Sequence, residues 1–205
     1  MPEPHLHIVS FDVPWPPSYG GVIDVFYKVK ALSELGVRVH LHCFAYGRAR
    51  SKELAALCHE VHYYQRRMGR HQLLGRLPFV VLSRRSDALA DRLLKDDHPI
   101  LFEGLHTCHL LTDPRFQGRR RIVRAHNVEH DYYAALAKAE AKAFRRTYFI
   151  NEARKLHRFE PVLAEADHVL AISPKDAAYF TGQYGHVSHI PAFHASEQVN
   201  VPPGM

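Results

Sequence analysis

The chain has 205 residues, 46% of them hydrophobic, which is enough apolar material for one large domain with a core of its own. The formal net charge of +6 attracts nucleic acid, anionic lipid or phosphorylated ligands without choosing among them. Cys43, Cys58 and Cys108 are far apart and form no CxxC pair, which argues against a disulfide scaffold or a cysteine zinc site. The sequence contains no apolar run of membrane-spanning length and no signal-peptide pattern, so we expect a cytoplasmic protein.

Strand and helix patterns alternate along the first half of the chain. Residues 5–11 predict a strand, and residues 21–36 predict an amphipathic helix that ends near Gly36. Residues 37–44 alternate strictly and predict a strand with one apolar face, and residues 60–65 predict a shorter strand. The basic and apolar stretch 66–97 predicts helix interrupted at Pro78.

The same alternation continues to the end of the chain. Residues 99–104 and 120–126 predict short buried strands, and residues 129–166 predict a long helical stretch in two or three pieces. Residues 167–173 predict a strand that leads into a helix, with Ser173 as the N-cap and Pro174 in the first turn. A last strand is expected within 186–191.

This order predicts an α/β fold with a Rossmann-like, doubly wound parallel sheet between two helical layers, a three-layer α/β/α arrangement. In such a sheet, ligands bind at the carboxyl ends of the strands, near the point where the strand order reverses. The loops at 12–21, 104–109 and 126–131 meet at that edge, and they are the stretches of the sequence richest in residues that could bind a ligand. We therefore expect the functional site there.

The first of these loops contains neither GxGxxG nor GxxxxGK[ST], so a dinucleotide site and a P-loop are unsupported. It does place Gly20 and Gly21 at a helix N-terminus, where bare backbone amides can approach a diphosphate or a sugar hydroxyl. Trp15 and Tyr19 offer aromatic faces for a sugar ring or a lipid chain. The alternative is a plain tight turn, with aromatic side chains that wedge the loop against the domain.

The second loop offers Glu103 and His106 as ligand-binding side chains. The alternative for Glu103 is a buried carboxylate whose hydrogen bonds are all satisfied within the protein. The sequence leaves these two interpretations equally open.

The third loop, VRAHNVEHDYY, concentrates polar side chains just past a buried strand. His126 is predicted at the strand end as a base, a donor or a sugar contact, with Arg124, Asn127 and Glu129 as further substrate-binding residues. The alternative is helix capping, with Asn127 as the N-cap and His130 at the third helical position.

The seventeen histidines include pairs two residues apart, His5 with His7 and His40 with His42, which share a strand face. Such a pair could begin a metal site, but no Asp or Glu completes a ligand set along the sequence. We therefore expect surface histidines, and neither a metal nor a cofactor.

The segment 66–85 surrounds apolar residues with six arginines. It predicts peripheral contact with an anionic membrane at the inner face, where a lipid-linked acceptor would be presented. The alternative is a solvated basic face above a helix that packs on the core.

Five segments, in this order, resemble the N-terminal domain of GT-B glycosyltransferases of the retaining family 4 type: PPSYGG, LSELGVRVHLHCF, FEGLHTCHLL, VRAHNVEHDYY and ADHVLAISPKDAAYF. The resemblance covers nearly the whole chain. It implies transfer of a sugar from a nucleoside diphosphate sugar to a sugar or lipid-linked acceptor, with no nucleic acid as partner. It places Gly20 and Gly21 on the glycine loop of the cleft and gives His126 the position beside the transferred sugar.

The resemblance also implies a domain organisation. Residues 1–194 would form the acceptor-side domain, and the Pro-rich residues 195–205 would lead to a donor-binding domain that these 205 residues do not include. Alone, the chain would then be inactive. The alternatives are a GT-B nucleotide-sugar epimerase and a non-catalytic Rossmann-like module that binds an anionic ligand.

Overall fold

A computed structural model describes residues 3–69, 72–73 and 75–195. The strands are β1 His5–Ser10, β2 Arg38–Ala45, β3 Glu60–Gln65, β4 Ile100–Glu103, β5 Arg121–Ala125, β6 His168–Ala171 and β7 Val187–His189. The α-helices are α1 Gly20–Glu34, α2 Lys52–Leu57, α3 Phe79–Leu82, α4 Asp87–Leu93, α5 Glu129–Ala139, α6 Ala143–Phe159 and α7 Pro174–Tyr184. Short 3₁₀ turns span Leu105–Leu110, Pro114–Phe116 and Glu160–Glu165.

Within the described residues, the seven strands form one sheet in the order β3-β2-β1-β4-β5-β6-β7, and every neighbouring pair is parallel. The chain reverses its direction of winding between β1 and β4. This is the doubly wound, Rossmann-like topology that the sequence predicts, and its ligand-binding crevice lies at the carboxyl ends of β1 and β4.

Both faces of the sheet are covered. Successive residues of a strand point to opposite faces, and Ile8 and Val9 of β1 belong to two separate apolar clusters. Ile8 packs in one cluster with Val25 and Val29 of α1, and Val9 packs in the other with side chains that include Leu156 of α6. The two clusters confirm the three-layer arrangement.

The apolar face predicted on the second strand is confirmed, because Val39, Leu41 and Cys43 pack in one apolar cluster. The expectation of surface histidines on the other face is wrong, since His40 and His42 are 8% and 0% exposed. A strand in the middle of a parallel sheet is covered by helices on both faces, and polar alternation on such a strand does not mark a solvated side.

The helices match the prediction except in two places. Stretch 66–97 is less helical than expected: α3 has only four residues after Pro78, α4 begins at the Ser86 cap, and residues 70, 71 and 74 lie outside the described part. Helix α2 was not predicted; its Ser51 cap accepts a hydrogen bond from Leu54 N at 3.1 Å. The Ser173 cap of α7 and the division of 129–166 into pieces are confirmed.

No helix among the described residues is both long and apolar enough to cross a membrane. Of the predicted Pro-rich linker, residues 196–205 lie outside the described part of the chain.

Candidate functional site

A pocket of about 480 Å³ opens at the carboxyl ends of β1, β4, β5 and β6. Parallel strands end at one edge, so the fold gathers here loops that are far apart in sequence. The pocket is lined by Phe11, Tyr19, Gly20, Gly21, Asp24, His106, His126, Asn127, Glu129, Tyr132, Tyr133, Ile172 and Ala192. Seven of the ten predicted site residues are in this lining, and Trp15, Glu103 and Arg124 are not.

The N-terminus of α1 forms one wall and has no side-chain cap. The N-cap residue Tyr19 makes no capping hydrogen bond within the described structure, and the first turn contains no acidic residue. The first intrahelical bond runs from Ile23 N to Tyr19 O at 3.0 Å. The amides of Gly20, Gly21 and Val22 therefore have no partner in the helix, and with the helix dipole they favour an anion.

The two glycines have different reasons to lack a side chain. A Cβ on Gly21 would lie 2.6 Å from Phe11 Cζ, so this glycine is required by packing against the Phe11 ring. A Cβ on Gly20 would meet no described atom within 4 Å. The open space that a ligand could use is therefore at Gly20.

The two aromatic residues of the first loop lie in different environments. Tyr19 is 45% exposed at the pocket, and its hydroxyl donates to Asp12 Oδ2 at 2.9 Å. Burial and the Asp12 carboxylate raise the pKa of Tyr19 to about 12, so its phenol stays protonated. Trp15 instead packs on Phe26, with ring centroids 5.0 Å apart, and this fits the wedging interpretation.

Arg48, which the sequence analysis did not consider, holds this loop in shape. Its guanidinium donates to Val13 O at 3.0 Å, Pro16 O at 2.8 Å and Ser18 Oγ at 2.5 Å. It also lies 5.2 Å from the centroid of the Tyr19 ring. The pocket wall is thus fixed from the loop after β2.

A buried cluster of charges lies beneath the pocket. Lys28 Nζ is 2.9 Å from Asp24 Oδ2 and 2.8 Å from Glu103 Oε1. Arg124 donates to both carboxylate oxygens of Asp24, at 2.9 and 3.1 Å. His126 Nε2 lies 3.0 Å from Glu103 Oε2. Two cations face two anions, and the charges balance without any other group.

Electrostatics keeps both carboxylates ionised. Burial opposes ionisation of Asp24, but Lys28, Arg124 and His126 together hold its pKa below the usual range. The pKa of Glu103 is also lowered, because Lys28 and His126 outweigh burial. Asp24, Glu103 and His126 offer ligand atoms within 4.8 Å of one another, but the two cations already bind these carboxylates and would repel a divalent metal.

Glu103 and Arg124 have supporting positions rather than places in the pocket lining. Glu103 is fully buried, and its carboxylate is paired with Lys28 and His126. Arg124, also 0% exposed, donates to Ile190 O at 2.7 Å and to Pro191 O at 2.9 Å, in addition to Asp24. Both residues fix what surrounds the pocket.

His126 is the side chain that joins this cluster to the pocket. It is 7% exposed and lines the cavity. Nε2 is directed at Glu103, and Nδ1 has no hydrogen bond to any described residue. The carboxylate thus orients the ring and leaves Nδ1 for a ligand.

A second polar pair, Glu129 and His106, also lines the pocket. Burial raises the pKa of Glu129 to about 7, whereas burial and the nearby Arg84 lower the pKa of His106 well below its usual value. Glu129 Oε1 and His106 Nδ1 are buried and have no hydrogen-bond partner within the described structure. Leaving a buried polar atom without a hydrogen bond costs about 1–3 kcal/mol of stability, so both atoms are suited to bind a ligand or a water molecule.

Asn127 lines the pocket, but it is not the N-cap of α5. The cap position belongs to Val128, and the Asn127 side chain partly offsets the effect of burial on the pKa of Glu129. The capping interpretation of Asn127 is therefore wrong.

Asp24 and Lys28 are the site residues that sequence reasoning missed. A signal was present, because the two form an i, i+4 charge pair on the face of α1 that otherwise buries Val22, Val25 and Val29. Charged residues inside an apolar stripe need partners, and these partners lie on other strands.

The basic segment 66–85 is only partly a surface feature. Arg84 is 8% exposed and donates to Phe11 O at 2.8 Å and Val80 O at 2.6 Å, which supports the wall of the pocket from behind. Of the arginines described, Arg67, Arg76 and Arg85 are exposed. The expectation of six surface arginines is therefore wrong in the case of Arg84.

Comparisons with known proteins support this architecture. No family model matches the chain. A protein of Klebsiella pneumoniae, described as an uncharacterized 44.6 kDa protein in the cps region, is 29% identical over 196 residues. The match covers 91% of this chain and 50% of that protein, so the chain spans about half the length of the curated relative.

Several solved glycosyltransferases have a similar fold. Sucrose-phosphate synthase from Thermosynechococcus elongatus matches with a TM-score of 0.60 and 17% identity, over 92% of this chain and 48% of that enzyme. Phytolacca americana UGT2, complexed with UDP-2fluoro-glucose and pterostilbene, matches with a TM-score of 0.58 and 14% identity. That match covers 96% of this chain and 56% of that protein. Medicago truncatula UGT71G1, complexed with UDP-glucose, matches with a TM-score of 0.51 and 6% identity, over 89% of this chain and 48% of that protein. The chain thus has the Rossmann-like fold of a GT-B glycosyltransferase domain, about half the length of those enzymes.

Proposed function

We propose that this chain is the acceptor-side half of a retaining glycosyltransferase of the family 4 type, which transfers a sugar from a nucleoside diphosphate donor to an acceptor hydroxyl. The observation that carries the proposal is the pocket at the β1–β4 crevice, where the uncapped N-terminus of α1 lies beside His126 and Glu129. In a fold shared with GT-B enzymes, this pocket combines an anion site with polar groups suited to sugar hydroxyls.

The amides at the start of α1 are proposed to contact the donor diphosphate. Gly20 gives the ligand room, and Arg48 and the Phe11 ring fix the loop and the helix start around it. Two of the solved neighbours were complexed with UDP-sugars, which supports this class of donor. Charge that develops on the leaving diphosphate would be stabilised by preorganised amides, without a metal or cofactor of the protein.

His126 is proposed to contact the transferred sugar through Nδ1. Its orientation depends on Glu103, and Glu103 is in turn held by Lys28. His126 would be the catalytic residue that touches the sugar, and Glu103 and Lys28 beneath it would be positioning residues.

The acceptor is proposed to bind on the side of Glu129, His106 and the tyrosines. Tyr132 is 48% exposed and offers an aromatic face, while Glu129 and His106 each have one buried polar atom still unpaired. This combination suits a sugar or the sugar head of a lipid-linked acceptor.

The nucleotide would bind mainly to a second domain. The curated relative and the solved neighbours are about twice as long as this chain, and a few amide hydrogen bonds give little net affinity after association costs. We therefore expect the 205-residue chain to bind UDP or GDP with a Kd of about 1 mM or weaker, about −4 kcal/mol, and to transfer no sugar.

Titration calorimetry with both nucleotides tests this expectation. Micromolar binding by the chain alone would favour the alternative, a self-sufficient anion-binding module. Turnover of a nucleotide sugar by these residues alone would overturn the division into two halves.

The activity itself is tested in the full-length protein with a panel of UDP- and GDP-sugars. We expect one donor to be used with unchanged anomeric configuration, read from the product by NMR. His126→Ala should lower kcat at least 100-fold, whereas Arg158→Gln, on an exposed arginine at the end of α6, should leave kcat unchanged. An inverted product would overturn retention and would point to Glu129 as a general base.

A cytoplasmic location with peripheral membrane contact belongs to this proposal as well. The exposed Arg67, Arg76 and Arg85 would supply the attraction to anionic lipid, at about 1 kcal/mol each. Equal sedimentation of the chain with anionic and neutral vesicles would exclude this contact.

A further inference from the structure

A cluster of histidines lies at the edge of the sheet opposite the pocket. Its members come from three neighbouring strands and the residues just before strands: His5, His7, His40, His42, His59, His62 and His98. The parallel register sets His7 opposite His40 and His42 opposite His62, which puts these side chains on one face. The carboxyl-end pocket uses none of these residues.

Two members of the cluster have both ring nitrogens in hydrogen bonds to protein groups. His7 lies 2.8 Å from His42 through Nδ1 and 3.0 Å from Asp96 through Nε2. His42 uses Nε2 for this contact and Nδ1 for the Tyr64 hydroxyl at 2.9 Å. These two rings are structural.

Three other members keep ligand atoms close together. His5 Nδ1 and His40 Nε2 are 2.8 Å apart, and with one nitrogen of His98 they all lie within 4.8 Å of one another. Metal–nitrogen bonds of 2.0–2.1 Å in a tetrahedron set the ligand atoms roughly 3.3 Å apart, so the widest of these separations would have to close by up to about 1.5 Å.

We propose that His5, His40 and His98 bind a divalent first-row transition metal, with zinc as the representative ion. Three imidazoles suit zinc, nickel, cobalt or copper and not magnesium or calcium. The three residues would leave a fourth position for water. The site would link β1, β2 and the segment before β4 at the amino edge of the sheet.

The surroundings favour a cation at this place. Burial and the neighbouring histidines lower the pKa of His5 and His40, so the rings are neutral and can ligate without losing a proton. His40 Nδ1 lies 3.6 Å from Glu60 Oε2, and a carboxylate behind a ligating histidine is the usual second-layer arrangement. Arg38 and Arg119 lie at this edge, and each is paired with a carboxylate: Arg38 with Glu3 at 2.7 Å, and Arg119, which also donates to His98 O, with Asp96 Oδ1 at 3.0 Å.

The site requires one local rearrangement. The rings of His5 and His98 stack with centroids 4.4 Å apart and planes 16° apart, and parallel stacked rings cannot direct their lone pairs to one ion. Both residues are partly exposed, whereas His40 is buried, so His98 can turn while His40 stays fixed.

The test is a titration of the metal-free 205-residue chain with Zn²⁺, followed by calorimetry and by thermal unfolding. We expect one zinc per chain and a rise in Tm. His5→Gln and His98→Gln should each weaken zinc binding at least tenfold, with unchanged circular dichroism in the absence of metal. His186→Gln is the matched control, because His186 is exposed outside this cluster.

Cobalt provides an independent readout, since tetrahedral coordination by nitrogen gives intense visible absorption. We expect this absorption in the wild-type chain and in His186→Gln and its loss in His98→Gln. The proposal is overturned if no stoichiometric zinc binds, or if His5→Gln and His98→Gln bind zinc as tightly as the control.

Discussion

The two edges of the sheet use similar residue types in opposite ways. At the carboxyl edge, Asp24, Glu103 and His126 lie close enough to hold a metal, as do His5, His40 and His98 at the amino edge. Buried cations accompany the first group, because Lys28 and Arg124 contact its carboxylates directly. In the second group, burial lowers the pKa of His5 and of His40 below the usual histidine value.

This difference shows that ligand atoms at metal-binding spacing do not make a metal site without the right charge around them. The charges at the carboxyl edge already balance, and two unpaired polar atoms, Glu129 Oε1 and His106 Nδ1, belong to residues that line the pocket above it. At the amino edge Arg38 is paired with Glu3 and Arg119 with Asp96, so these cations are balanced by carboxylates outside the three histidines. Substitutions that change the charge at either edge therefore test whether charge decides the difference.

The largest effect is expected at Asp24, the centre of the charged cluster. Asp24→Asn removes the anion that Lys28 and Arg124 share, and breaking a buried ion pair costs about 3–5 kcal/mol. Urea unfolding measures the loss. Glu34→Gln, on the exposed end of the same helix, is the control and should change stability by less than about 0.5 kcal/mol. A loss below about 1 kcal/mol for Asp24→Asn would mean that the cluster is not tightly coupled.

At the amino edge we expect acid sensitivity from His7. Burial outweighs the nearby Asp96 and lowers the pKa of His7 to about 4, while the unfolded value is near 6.5. The unfolded chain therefore binds the proton first, and stability falls as the pH drops from 6.5 to 4, by up to about 3 kcal/mol. His7→Gln should remove this part of the slope in pH-dependent urea unfolding. An unchanged slope would assign the acid sensitivity to other groups.

At the carboxyl edge Glu129 should give the opposite dependence. Its pKa is raised to about 7 by burial, so the folded state keeps the proton that the unfolded state releases near pH 4.5. Stability is then lost as the pH rises between these values. Glu129→Gln should be more stable than the wild type by up to about 3 kcal/mol at pH 8 and equal to it at pH 4. Equal stabilities at both pH values would contradict the raised pKa.

The smallest effects are expected at the two glycines. Gly21→Ala should cost about 1–3 kcal/mol, because its Cβ would press on the Phe11 ring. Gly20→Ala should leave stability within about 0.5 kcal/mol, because its Cβ would meet open space. In the full-length protein, Gly20→Ala should instead raise the KM for the donor. A wild-type KM in Gly20→Ala would remove the diphosphate from this helix end.

Much of the fold could be predicted because it depends on local pattern. The apolar runs, the Ser173 cap and Gly36 with its φ of +80° mark elements from neighbouring residues alone. The short helix α2 escaped prediction because six residues give too few turns for a periodic signal. Burial of His40 escaped because it depends on the helices that cover both faces of the sheet.

The candidate site also has features that local sequence patterns predict and features that they do not. By itself, the sequence determined that polar loops follow predicted strands, and therefore that His126, Glu129 and Gly20 belong to one edge of a parallel sheet. Only the tertiary structure decided that Arg124 binds Asp24 and that His98 meets His5. These partners are far apart along the chain, and their charge balance and spacing depend on how the strands are ordered in the sheet, which no local pattern records.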